Sequence, residues 1–176
     1  TDAELLMFCR LLLIAGNETT TGLISACVRI FHELPWTFSR LKSDPSCIES
    51  FVEETLRFYA PFQMTIRRTT RDVEIAGTKI SKGEIVLPLI ASANRDESIF
   101  TDADQFIVER EPNPHLAFGF GIHNCLGAPL ARLEAQIAVA SLIERLDGIS
   151  LVEHDPEVLS RFGGPERLAV NIQRAA

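Results

Sequence analysis

Apolar residues crowd nearly every face of residues 4–31, a stretch without proline, and that all-round pattern predicts a long helix through a protein interior. Thr1-Asp2-Ala3-Glu4 has the form of a capping box and would start it. Its centre departs from the pattern, because Gly16-Asn17-Glu18-Thr19-Thr20-Thr21 sets a weak helix former and a polar cluster where core residues belong. Two readings stand there: a helix end or exposed turn, and a local distortion beside a site. Pro35 predicts a short second helix ending near Asp44-Pro45. Ser46-Cys47-Ile48-Glu49 forms another capping box, followed by one apolar stripe of Ile48, Phe51, Val52, Thr55, Leu56 and Tyr59. On that helix Glu54 and Arg57 fall on roughly the opposite face. An exposed pair at this spacing contributes roughly 0.2–0.5 kcal/mol.

After Pro61 the period shortens. Asp72-Val73-Glu74-Ile75 alternates, Ala76-Gly77 turns, Thr78-Lys79-Ile80 returns, and Lys82-Gly83 turns again before Ile85-Val86-Leu87, which predicts a small β-meander. Residues 94–114 are charged, carry prolines and lack a period, so they predict a long irregular loop, a feature usually tied to function. Pro129 suits the first turn of a helix in which Leu126, Leu130, Leu133 and Ile137 continue to about Leu146. Short strands and turns around Gly163-Gly164-Pro165 are expected in residues 148–176. The fold class is therefore mainly α with small β-sheets, as one unit over residues 1–176.

Composition narrows the function. With 176 residues and 46% hydrophobic content the chain can bury one substantial core. A net charge of -7, without any long basic run, argues against nucleic acid as a partner. The apolar run at residues 5–15 is interrupted by Arg10 and closed by Asn17-Glu18. It falls short of the roughly 20 residues of a membrane span, so a buried core helix and no membrane span are expected. No charged leader precedes it, and no signal peptide is read. Cys9, Cys27, Cys47 and Cys125 lack CxxC spacing, against a zinc ribbon or a thioredoxin-like motif. Cys9, Cys27 and Cys47 sit in apolar helical patterns, where buried reduced thiols and a cytoplasmic location are expected.

Cys125 differs from the other three. Gly119, Gly121 and Gly127 leave the backbone around it bare, as is needed where main chain approaches a bulky group. A helix begins directly after it, and the unpaired N–H groups of that helix would favour a thiolate. A Cys–His hydrolase with His123 as base is one alternative, but no orienting third group can be argued for it. A thiolate that fixes haem iron fits better, since flat porphyrin requires bare backbone against its face.

Residues 118–127, Phe118-Gly119-Phe120-Gly121-Ile122-His123-Asn124-Cys125-Leu126-Gly127, match FxxGxHxCxG, the haem-binding pattern of the cytochrome P-450 family. Ala15-Gly16-Asn17-Glu18-Thr19-Thr20 resembles that family's oxygen-activating motif, and Glu54-Thr55-Leu56-Arg57 its ExxR. In order and spacing the three resemble a soluble bacterial or archaeal member over essentially the whole chain. The elements then correspond to the C-terminal haem-binding part of the fold: long distal helix, ExxR helix, β-meander, irregular loop, Cys-ligand loop and following helix. The family's members are about twice this long, so the N-terminal half would be missing.

The resemblance implies a haem-thiolate monooxygenase with haem b, using Cys125 as metal ligand and Phe118, Gly119 and Gly127 in its cofactor loop. It implies Glu18 and Thr19 as catalytic proton-relay residues, with Gly16 letting the helix open beside them. Arg67, His123 and His115 would bind the propionates. Glu54 and Arg57 would be buried supports of the haem site, which reverses the surface-pair reading. The family often has Arg where Gln105 stands, so the third arm of that support would be uncharged here. The implied partners are O2, a small apolar organic substrate, and a ferredoxin or flavoprotein donor docking near the Cys125 face, with Arg132 contributing. Residues 12–19, 62–65, Arg161 and Phe162 are pocket candidates. A non-catalytic haem-binding fragment is the second reading.

Overall fold

A computed structural model of the chain describes residues 1–152 and 168–174. Helix α1 spans Asp2–Glu33, and the Thr1 hydroxyl and Glu4 side chain close the capping box reciprocally, as expected. It is followed by α2 (Pro35–Ser43), a 3₁₀ turn at Pro45–Cys47, and α3 (Ile48–Phe58). The second capping box does not form. Asp44 accepts from the Ser46 N–H instead, because a carboxylate one residue before Pro45 already caps the turn.

The expected meander does not form. Strands β1 (Arg67–Arg68), β2 (Val73–Ile75), β3 (Thr78–Ile80) and β4 (Ile85–Val86) form two separate antiparallel pairs. β2 pairs with β3 through the Ala76-Gly77 turn, but β4 folds back on β1 in the register Arg67 to Val86. A two-residue strand has no alternation to read. A single helical turn, α4 (Ile90–Ala93), leads into the irregular segment, which runs through turns to the 3₁₀ turn Gly121–His123. Helix α5 (Ala128–Arg145) then passes directly into β5 (Leu146–Leu151), paired antiparallel with β6 (Val170–Arg174). The turn expected at Gly163-Gly164-Pro165 lies outside the described residues.

The core lies where the C-terminal half of α1 meets α2, α3 and α5. Phe31 and Phe51 stack with centroids 5.1 Å apart, while Phe38 and Phe106 meet them edge-on at 5.2 and 5.6 Å. Each such contact contributes about 0.5–1.5 kcal/mol beyond area burial. Leu23, Cys27, Leu41, Val52 and Val139 fill the remainder.

The N-terminal half of α1 is not core. Leu5, Leu6, Met7, Phe8 and Leu11 through Ile14 are all more than half exposed. Cys9 is exposed as well, against expectation, while Cys27 and Cys47 are buried. The sequence pattern reports that this surface is apolar; among the described residues no element lies against it. The helix also runs without interruption through Gly16, so it neither ends nor distorts there. The Thr19 and Thr21 hydroxyls, which have no room to compete for backbone N–H groups inside the helix, donate back to the Ala15 and Asn17 carbonyls at 2.8 and 2.9 Å. By length and composition α1 could cross a membrane, with 22% of its most apolar window buried; a helix through a protein interior meets the same test.

Candidate functional site

Behind the Cys125 segment, α3 holds a buried charge cluster. Glu54 and Arg57 have fully buried side chains, and Arg57 Nε and Nη2 donate to the two Glu54 oxygens at 2.8 Å each. The remaining guanidinium protons reach backbone carbonyls of the irregular segment: Asn94 at 2.9 Å, Ala103 at 2.8 Å and Gln105 at 2.9 Å. Loop, not solvent, covers the face that periodicity assigned to the surface.

The third arm is present, and it is Arg110. Its Nε lies 3.1 Å from both Glu54 oxygens, and its Nη groups donate to the Thr101, Asp102 and Gln105 carbonyls. Gln105 contributes only its carbonyl, with its side chain pointing outward, so the expected gap at that position does not exist. The Ile107 N–H and Asn113 Nδ2 complete the shell of Glu54 at 2.9 and 3.1 Å. Sequence reasoning missed Arg110 because an irregular loop gives no period to assign an inward face. The one available signal was an arginine between two glutamates in a loop too long for a plain connection.

This anchored segment delivers the chain to Cys125. The Cys125 N–H donates to the Phe118 carbonyl at 2.8 Å, closing the loop on itself. Gly119 and Gly121 take φ of +73° and +67°, which side chains other than glycine adopt at a cost. A Cβ on Gly119 would sit 3.2 Å from the His123 carbonyl oxygen. Cys125 is exposed, and Phe120, Ile122 and Leu126 around it are 86%, 97% and 92% exposed.

Between this loop and α1 lies a cleft of about 710 Å³. It brings together Thr19, Arg67, Phe118, Gly119, His123, Cys125 and Gly127, the greater part of the site expected from sequence. Its walls are largely apolar, with Ile14, Leu23, Leu56, Phe62 and Ile90 facing in. Arg67 is steered by its own Nη1, which donates to the Thr65 hydroxyl and the Ile66 carbonyl at 2.8 and 2.9 Å. Of the pocket candidates, Ile14, Ala15, Gly16, Thr19, Phe62 and Thr65 line the cleft; the other residues of 12–19 and 62–65 do not, and Arg161 and Phe162 lie outside the described residues.

Two predicted residues stand apart. Glu18 is exposed on α1 and does not line the cleft. His115, expected at the propionates, does not line the cleft either. Its side chain is 3% exposed, its Nδ1 accepts the Ala117 N–H at 3.3 Å, and its Nε2 meets Glu53 at 3.1 Å. With Nδ1 accepting, the ring proton sits on Nε2 and is donated to Glu53, so neither nitrogen is free for a cofactor carboxylate. Glu53 also receives a two-pronged bond from Arg132, at 2.7 and 2.9 Å. Burial pushes the Glu53 carboxyl upward, but the hydrogen bonds from His115 and Arg132 and the Arg132 charge together outweigh it and bring its pKa down to about 2.

A model of the cytochrome P450 family matches residues 46–162. A cytochrome P450 of Bacillus subtilis (strain 168), YjiB, is 51% identical over 153 residues, covering 87% of this chain and 39% of that protein. Cytochrome P450 119 of Sulfolobus acidocaldarius is 44% identical over 172 residues, covering 98% of this chain and 46% of that protein. The solved structure of cytochrome P450 CYP109Q5 from Chondromyces apiculatus superimposes with a TM-score of 0.92 at 44% identity, covering 99% of this chain and 46% of that one. The chain belongs to the cytochrome P450 family, and its described elements are those of a P450 fold. It spans about two fifths of the length of the curated relatives it matches.

Membership of this family implies a haem cofactor, and the cleft can be tested for it. Its apolar walls, the glycine-bared loop beside Cys125, and the cationic Arg67 and imidazole His123 on the same cleft form a donor set suited to a flat apolar ring with anionic edge groups. The residues present fit the group.

Proposed function

We propose that Cys125 is the thiolate ligand of a haem b, in a cytoplasmic monooxygenase. That enzyme would insert one oxygen atom of O2 into a small apolar organic substrate, using two electrons from a ferredoxin or flavoprotein. The observation that carries this reading is the convergence of Cys125, His123, Arg67 and Thr19 on one largely apolar cleft. When bound, the haem supplies the oxygen activation that no side chain can.

The chain's own residues do the rest. Arg67 and His123 would pair with the anionic edge groups of the haem and hold it in the cleft. Leu23, Leu56, Phe62 and Ile90 exclude water and hold an apolar substrate. Thr19, whose hydroxyl is held by the Ala15 carbonyl on the cleft wall, keeps and passes on a proton, and Glu18 one residue earlier feeds it from the solvent side. The deciding experiment is the carbon monoxide difference spectrum of the reduced, haem-loaded protein. A strongly red-shifted Soret band is expected, and an unshifted band with Cys125 intact would sink the ligand assignment.

Two observations favour the second reading, a haem-binding piece that catalyses nothing alone. The chain covers about two fifths of its relatives, and the apolar face of α1 beside the cleft is exposed. The intact mass of the native protein separates the two readings: a mass near 19.5 kDa with no turnover supports the piece, and a larger mass supports the enzyme.

A further inference from the structure

Neighbouring glutamates on α3 face different partners. Glu54 reaches into the irregular segment, whereas Glu53 reaches toward α5 and binds Arg132 through both carboxylate oxygens. The Arg132 guanidinium in turn lies 4.5 Å from the centroid of the Phe118 ring. Phe118 is the residue whose carbonyl takes the Cys125 N–H, at 2.8 Å. His115, three residues before Phe118, hands its Nε2 proton to Glu53 and so fixes the carboxylate from a second direction. An unbroken series of contacts therefore runs from α3 through a paired charge and an aromatic face to the backbone of the cysteine.

We propose that Glu53 and Arg132 form a charge clamp that positions Phe118 and Cys125 and balances the electric field at the cysteine sulfur. Both are positioning residues. The inference rests on the reading of Cys125 as thiolate ligand. A forked arginine–carboxylate pair fixes distance and plane together, and a guanidinium over a ring fixes the ring, so the clamp is stiff in the direction that matters to the loop. It is also only partly exposed, with 35% of the Arg132 side chain and 24% of the Glu53 side chain accessible. Water screens it less than an open surface pair. The charges of Arg132 and a Cys125 thiolate act on each other.

Balance gives the clamp a signature that packing alone lacks. Reduction of the bound haem adds one electron, which a nearby positive charge favours and a nearby negative charge opposes. E53Q leaves Arg132 uncompensated and is expected to raise the reduction potential. R132Q leaves Glu53 uncompensated and is expected to lower it, and the double variant falls between. The measurement is a spectroelectrochemical titration of the haem-loaded protein and its variants. A red-shifted carbon monoxide band in the unsubstituted protein reports the ligand separately: loss of that band overturns the thiolate reading and the clamp with it, whereas the band with unresponsive potentials overturns the clamp alone. Shifts of the same sign in both single variants, with haem bound, also overturn the clamp. Should R132Q not fold, E53Q with R132K decides: lysine keeps the charge, so the potential stays near its starting value while E53Q still moves upward. A flat E53Q then overturns the proposal.

Discussion

At the scale of single residues, Glu54 is the most heavily bonded side chain near the site, receiving Arg57, Arg110, Asn113 and the Ile107 N–H. Glu54→Ala strands two guanidiniums without a counter-charge, a change that costs about 3–5 kcal/mol for a buried pair. Urea unfolding and haem content measure it, with both falling. Gln105→Ala removes only an outward side chain and is expected to stay within about 0.5 kcal/mol of the parent in the same assay. Glu53 sets a pH dependence. Its folded pKa lies near 2 against an ordinary 4.5, so its contribution to stability is complete above pH 4.5 and lost as pH falls toward 2. The stability gap between the parent chain and E53Q should accordingly close over that window in acid unfolding. Cys125 was legible from its glycines and following helix. Glu54 and Arg57 were legible only through the ExxR resemblance, since helical period marks the apolar stripe and says nothing about loops that cover the other side. Arg110 carried only its place between two glutamates in a long loop, and Glu53 carried no pattern.

At the scale of elements, the loop from Phe118 to Cys125 depends on left-handed backbone at Gly119. Gly119→Ala meets that φ penalty, about 1–2 kcal/mol, and a Cβ contact at 3.2 Å with the His123 carbonyl. A lower urea midpoint and faster haem loss are the expected results. The helices were legible because their stripes and caps are local, as the Thr1–Glu4 box and Pro35 show. The pairing of β4 with β1 was not, because two short strands separated by a complete hairpin leave their partnership to tertiary structure. In α1 the pattern gave the helix and misjudged its burial; apolarity records what a surface is suited to meet.

For the whole molecule, the four cysteines divide by exposure. Cys9 and Cys125 are open, while Cys27 and Cys47 are buried and burial pushes the Cys27 thiol up to about 12. A thiol reagent should modify two groups quickly in the folded haem-free chain and four after unfolding, with haem protecting Cys125; mass spectrometry of the labelled peptides counts them. The cluster around Glu54 ties together segments far apart along the chain. Its hydrogen bonds join residues 37, 46, 48, 56 and 59 positions apart, and the Glu53–Arg132 bond spans 79. Contacts this distant in sequence form only after chain entropy has been overcome. α3 is therefore expected to lock late, and the cysteine loop with it, so that in pulse-labelled hydrogen exchange the residue 118–125 amides gain protection after those of α1 and α5. Cofactor capture would then close maturation, and haem uptake is expected to lag helix formation in stopped-flow refolding with haem present.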